Sequence, residues 1–171
     1  MLLVCLSIRL CSKGPAIYLQ RRLTRGAKVF TMFKFRTMAV TAEQDTGAVM
    51  ATAGDMRVTK VGRILRRTRL DELPQLINVL IGDMSLIGPR PERPEIAAKL
   101  QEHLPDMPSR LLVKAGLTGL AQIKCGYASC PESYRLKLDQ DIYYVEHRTL
   151  WLDFKIAIQT VWVILTGYGA R

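Results

Sequence analysis

The chain has 171 residues, 49% of them apolar, and a formal net charge of +10 at pH 7. Such a length and hydrophobicity exclude wholesale disorder and predict one domain with its own core, and no repeat or low-complexity tract divides it. The charge is asymmetric: residues 1–70 hold fourteen basic and three acidic groups, so the whole excess lies ahead of Asp71, a distribution suited to nucleic acid, anionic headgroups or a polyphosphate, or simply a solvated basic face.

Met1–Leu10 is an apolar stub interrupted by Arg9. It is too short for the roughly 20 apolar residues that a membrane span requires, and reads as a core helix or as the tail of a longer membrane segment. Ser12-Lys-Gly-Pro15 breaks it. Ile17–Leu23 and Val29–Thr37 are strand-like and joined by Thr24–Lys28, with Gly26 in the turn, which predicts a hairpin. Residues 39–56 are small and polar, a loop or short helix, and Val61–Thr68 is a basic helical stretch.

In Thr68–Gly82, Leu73, Leu76, Ile77 and Leu80 recur at helical spacing. Because Pro74 is tolerated only in a first turn, the helix is expected to start near Asp71, with Asp71 at or beside the N-cap and Gly82 as the stop. Gly88-Pro-Arg-Pro91 is a rigid bend, Pro94–His103 a short helix, and Gly116–Ile123 a turn followed by an extended piece. A further helix from Pro131 to about Glu146 runs into the apolar Leu150–Leu165. There Trp151 and Trp162 suit a headgroup-level position, so that segment reads as an interfacial helix or a core helix. The expected class is α+β: a mostly helical single domain with a small β-hairpin, associated with one membrane surface.

The four cysteines have no zinc-type spacing, and two histidines make no transition-metal cluster. The chemistry therefore rests on carboxylates and cations. Asp71 and Glu72 follow the arginines Arg63, Arg66, Arg67 and Arg69. At a helix start they could flank a cation or phosphate with Asp71 kept ionised by the helix end, or serve only as ordinary first-turn acids. Lys34 and Arg36 share one strand face and could clamp a diphosphate, or merely keep an edge soluble. Arg90 is held between two prolines, a placement suited to phosphate or to a structural carboxylate pair. Asp153 sits in an apolar helix, so it is either paired or turned toward a cavity. Gly116-Leu-Thr-Gly119 is a permissive loop of phosphate-binding size.

Lys34-Phe-Arg-Thr-Met38, Leu70-Asp-Glu-Leu-Pro-Gln-Leu-Ile-Asn-Val-Leu80, Gly82-Asp-Met-Ser-Leu-Ile-Gly-Pro-Arg-Pro-Glu92 and Gly116-Leu-Thr-Gly-Leu-Ala-Gln122 occur in that order. With these landmarks the chain resembles the bacterial monotopic polyprenyl-phosphate phosphoglycosyl transferases from Ser12 to its C-terminus. The resemblance implies transfer of a sugar-1-phosphate, a hexose phosphate by the lean of Gly126-Tyr127 and Gly167–Arg171, from a UDP-sugar to undecaprenyl phosphate. Asp71 would be the nucleophile and Glu72 the Mg²⁺ ligand, with Lys34, Arg36, Arg66 and Arg90 on phosphates and Asp153 a further acid. It also implies a cytoplasmic-face location on the inner membrane, no nucleic-acid partner, and residues 1–11 as the remnant of an anchor helix ahead of a catalytic domain at 12–171 with its interfacial C-terminal helix. The family's Pro-Gly-Ile-Thr-Gly-Trp-Ala-Gln pattern stands here as Ala115–Gln122, without the proline and the tryptophan. The rival readings are a truncated, inactive homologue and a basic nucleic-acid-binding module built on Arg63–Arg69.

Overall fold

A computed structural model describes residues 1–44, 47, 54–125 and 131–166. Gly126-Tyr127, Cys130, most of the 45–53 loop and Gly167–Arg171 lie outside them. The first helix, α1 (Leu2–Cys11), buries only Ile8 and leaves Leu2, Leu3, Leu6 and Leu10 in the open. Strands β1 (Ile17–Leu23) and β2 (Val29–Phe35) form the expected antiparallel hairpin, with Ile17 opposite Phe35 and Leu23 opposite Val29. Gly26 takes a positive φ of 68° in the turn, which a side chain would disfavour. Phe30 and Met32 point to a core with Met84, and Phe35 points the other way, to Ile8, Ala16 and Leu65. Leu65 comes from helix α2 (Lys60–Arg67), capped by Thr59, whose hydroxyl accepts from the Gly62 N–H at 2.9 Å.

After α2 the sequence expectation fails in an informative way. Leu70–Glu72 is a turn of 3-10 helix, and the α-helix proper, α3, runs Gln75–Leu80 behind Pro74. Pro74 has no N–H to offer the Leu70 carbonyl, so the turn closes through tighter bonds from Leu73 N–H to Leu70 O and Ile77 N–H to Pro74 O. Asp71 is therefore inside that turn and not at the N-cap of α3. Gly82, with φ 87°, ends the segment as expected.

The apolar stripe of α3 faces outward. Leu73, Leu76, Ile77 and Leu80 are exposed, while Gln75 and Asn78 are fully buried. Asn78 explains this orientation. Its amide donates from Nδ2 to the Thr31 carbonyl at 2.8 Å and accepts the Phe33 N–H on Oδ1 at 3.0 Å. One side chain thus closes the open edge of β2 as another strand would.

The remaining chain adds a second small sheet. Strands β3 (Ser85–Ile87) and β4 (Gly116–Thr118) pair in parallel, joined by helix α4 (Pro94–His103) and the 3-10 segment Met107–Leu112. Three-residue strands carry no readable periodicity. Gly116 and Gly119 lie directly on the Gly88 backbone, where a Cβ would collide, so this glycine loop serves close packing of two backbones. The piece expected to be extended after Gly119 is helix α5 (Leu120–Cys125). Helices α6 (Pro131–Glu146) and α7 (Leu150–Thr166) follow, with a break at 147–149. Of α7 only Ile156 is buried, in a cluster with Leu120, Ile123 and Tyr144. Trp151, Phe154, Ile158, Val161, Trp162 and Leu165 are exposed. Among the described residues no helix is long and apolar enough to cross a membrane.

Asn78→Ala should strip partners from two backbone groups at the edge of β2 and lower the unfolding free energy by about 1–3 kcal/mol. Leu80→Gln, on the exposed stripe, should change it by less than about 0.5 kcal/mol in the same urea titrations. The opposite ranking would restore the apolar stripe as the packing face.

Candidate active site

The tight turn at Leu70–Glu72 sends two neighbouring carboxylates into different surroundings. It is entered through Arg69, which has a positive φ of 59°, a conformation costing a non-glycine residue roughly 1 kcal/mol. Glu72 meets two cations from distant segments. Arg90 Nη2 donates to Glu72 Oε1 at 2.5 Å and Lys34 Nζ donates to the same oxygen at 3.3 Å. Lys34 arrives because it continues the Phe30–Met32 face of β2, the strand whose edge Asn78 fastens to α3. Arg90 arrives on the Pro89–Pro91 bend. Asp71 is 7% exposed.

These surroundings move the two acids in opposite directions. Burial pushes the Asp71 carboxyl up and Glu72 adds to this, while Lys34, Arg90 and Arg66 oppose without cancelling it. Burial would also push Glu72 up, but Arg90 and Lys34 outweigh it and hold that carboxyl well below the usual range. Lys34 is itself shifted downward by burial, with Glu72 countering. Keeping Asp71 ionised by a helix end is thus not what the structure does: burial moves it toward neutrality, and nearby cations restrain the shift.

The other residues nominated from sequence divide. Arg66 Nε donates to the Thr37 hydroxyl at 2.9 Å, and its charge reaches Asp71. Arg36 does not join the cluster. Its guanidinium donates to the Lys13 carbonyl at 2.7 Å and to the Ser12 carbonyl and hydroxyl at 2.9 and 2.8 Å, tying the end of α1 to β2. The two basic side chains of one strand face thus end at different places. Asp153 accepts from the Tyr144 hydroxyl at 2.8 Å and lines a separate cleft of about 380 Å³ with Lys114 and Arg148. Neither Asp71 nor Glu72 lines that cleft. Asp153 is therefore both paired and turned to a cavity. Of the arginine stripe, Arg63 and Arg67 face outward and Arg66 and Arg69 are half-buried. Sequence reasoning passed over Asn78, Arg22 and Arg110. The clue for Asn78 was an amide interrupting an apolar run; isolated arginines offer none.

This geometry lies inside a sequence pattern with known relatives. The model of the bacterial sugar transferase family matches residues 1–167. The chain belongs to that family. It is 46% identical over 171 residues to a UDP-N-acetylgalactosamine-undecaprenyl-phosphate N-acetylgalactosaminephosphotransferase of Aeromonas hydrophila, covering 100% of this chain and 40% of that protein. It is 43% identical over 172 residues to a UDP-glucose:undecaprenyl-phosphate glucose-1-phosphate transferase of Caulobacter vibrioides, covering 99% of this chain and 64% of that one. A protein of the same name from Escherichia coli is 41% identical over 160 residues, 92% of this chain and 34% of its own length. The chain thus spans between about a third and two thirds of these relatives.

The opposed shifts give opposed stability effects. The folded Asp71 carboxyl holds its proton more tightly than the unfolded one, so its ionisation costs stability. Asp71→Asn should raise Tm at about pH 7, with the gain vanishing as pH falls below the unfolded value of about 4. Glu72 binds its proton more weakly when folded. Glu72→Gln should lower Tm at neutral pH, the loss fading in acid as pH falls from the unfolded value through the folded one. Thermal denaturation of both variants across the acid range checks the pair; slopes of the same sign would contradict it.

Proposed function

We propose that the chain is the catalytic part of a phosphoglycosyl transferase that moves a sugar-1-phosphate from a UDP-sugar to undecaprenyl phosphate, the first step of a surface glycan. The carrying observation is the adjacent pair of the buried Asp71 and the largely enclosed Glu72, one shifted up and the other held ionised by Lys34 and Arg90. An Asp71 oxygen attacks the β-phosphorus of the donor as the bond from that phosphorus to the bridging oxygen breaks, and UMP leaves. A phosphate oxygen of undecaprenyl phosphate then attacks the same phosphorus, the bond to Asp71 breaks, and the carboxylate is regenerated. A buried carboxylate with a raised pKa is the better nucleophile, and Lys34, Arg66 and Arg90 offset the charge of the diphosphate.

Magnesium fits this site as a shared ion. Among the described residues no three acidic, histidine or cysteine side chains form a metal group. The hard carboxylate oxygens of Glu72, however, would suit an ion shared with the phosphates of a bound donor. When bound, it would neutralise the diphosphate and its leaving group. Glu72 would hold it, and Arg90 and Lys34 keep Glu72 in the charged form such a ligand needs, while Asp71 is left for the attack.

The sugar is a hexose or N-acetylhexosamine in this reading, since the relatives' names carry N-acetylgalactosamine and glucose. The acceptor is a lipid, and exposed apolar rows on α1, α3 and α7 support docking on a membrane surface. The exposed Trp151 and Trp162 suit its headgroup layer.

With Mg²⁺, lipid support and UDP-sugars labelled in the β-phosphate, label should appear on the protein and be absent from Asp71→Asn. Arg90→Lys, which loses the guanidinium fork, should slow labelling about 10–100-fold. If no donor sugar labels a folded wild-type protein, the transferase reading is wrong.

A further inference from the structure

Arg90 is the cation closest to Glu72, and its reach depends on a four-residue bend. Pro89 and Pro91 fix φ at two of its positions but have no N–H groups with which to fix the rest. From Pro89 to Glu92 the chain is held from its carbonyl side, and each of these four successive carbonyls is taken by a different residue. Pro89 O accepts from the Gly116 N–H at 2.8 Å and Glu92 O from the Leu23 N–H at 2.9 Å. Between them, Arg90 O accepts from Arg110 Nη2 at 2.7 Å and Pro91 O from Arg22 Nη1 at 2.8 Å. The two arginines are fixed in turn. Arg110 is 8% exposed and its Nη2 lies 2.6 Å from Asp141 Oδ2 on α6. Arg22 is held by Gln20 Oε1, and Glu92 lies 3.7 Å from both guanidinium groups.

We infer that Arg110, with Arg22, is a positioning residue: a buried and a half-buried guanidinium group grip the carbonyls of Arg90 and Pro91 and so aim the Arg90 side chain at Glu72 and a bound diphosphate. This rests on the reading of Asp71, Glu72 and Arg90 as the donor site. An ion pair that only joined the 3-10 segment to α6 would need the Arg110–Asp141 contact and nothing more. The same Nη2 atom also reaching the Arg90 carbonyl links α6 to the site through one guanidinium. Arginine suits this task because its planar group holds the two N–H bonds of Nη2 in fixed directions while Nη1 faces Glu92, whereas an ammonium group rotates freely on a flexible stem.

The test removes the grip without leaving a lone buried charge, by combining Arg110→Met with Asp141→Leu. The first readout is the ¹⁵N relaxation of the Arg90 Nε–H. A lower order parameter is expected while the amide spectrum keeps its dispersion; an Arg90 side chain as ordered as in the wild type overturns the inference. The second is calorimetric binding of UDP with Mg²⁺. The double variant should bind roughly tenfold more weakly, and should cause no further loss when added to Arg90→Ala. Equal losses in both backgrounds overturn the inference, because Arg110 would then act on the fold at large. Arg110→Lys, which keeps a charge beside Asp141 on a shorter side chain without the fixed planar group, takes the same readouts if the double variant does not fold. Should wild type not bind UDP at all, the transferase reading fails and the relaxation arm still decides the positioning role.

Discussion

The arrangement turns on one buried negative charge. Glu72 has lost most of its water, and an isolated carboxylate in that position would take up a proton. It remains ionised because Lys34 and Arg90 converge on one of its oxygens. The three residues come from a hairpin strand, a 3-10 turn and a double-proline bend. Bringing their charges together therefore fixes how those segments dock. Two polar devices secure that docking: the Asn78 amide on the edge of β2, and the donors gripping the Pro89–Glu92 carbonyls. Apolar packing alone would tolerate sliding between these pieces, whereas paired hydrogen bonds set the register.

The same constraint separates Asp71 from Glu72. Asp71 is buried and Glu72 nearly so, but the close cations belong to Glu72, and Asp71 feels them at longer range. Two chemically similar side chains, adjacent in sequence, thus acquire different proton affinities from their surroundings. Such divergence is how a site assigns distinct roles to a pair of carboxylates. The tight turn makes it possible, because the missing Pro74 N–H keeps α3 from extending back over the dipeptide. The left-handed backbone at Arg69 belongs to the same turn and is local strain at its entrance.

Using polar groups for docking left the apolar residues of α3 with another position. Leu73, Leu76, Ile77 and Leu80 line the outside of the helix, and the apolar rows of α1 and α7 also stay in the open. Hydrophobic periodicity reports that a helix has an apolar face, but not what that face meets. Here the periodicity marked the stripe correctly, and only the fold shows that it faces outward.

Local physics made much of the molecule legible in advance. Alternation and a turn glycine specified the hairpin at Ile17–Leu23 and Val29–Phe35. Pro94 at a first turn specified α4, and the ordered motifs specified the family and the nomination of Asp71, Glu72, Lys34 and Arg90. These follow from neighbours within a few residues, or from a residue pattern along the chain. Tertiary structure alone decided which cation of the Lys34–Arg36 strand meets Glu72 and which meets the Ser12 and Lys13 carbonyls. It alone paired β3 with β4 across about thirty residues, and placed Arg110 behind Arg90. A pKa direction is likewise absent from a sequence, because burial and distant charges set it. Asp71 and Glu72 are adjacent in the chain, and only folding gives them opposite tendencies to hold a proton.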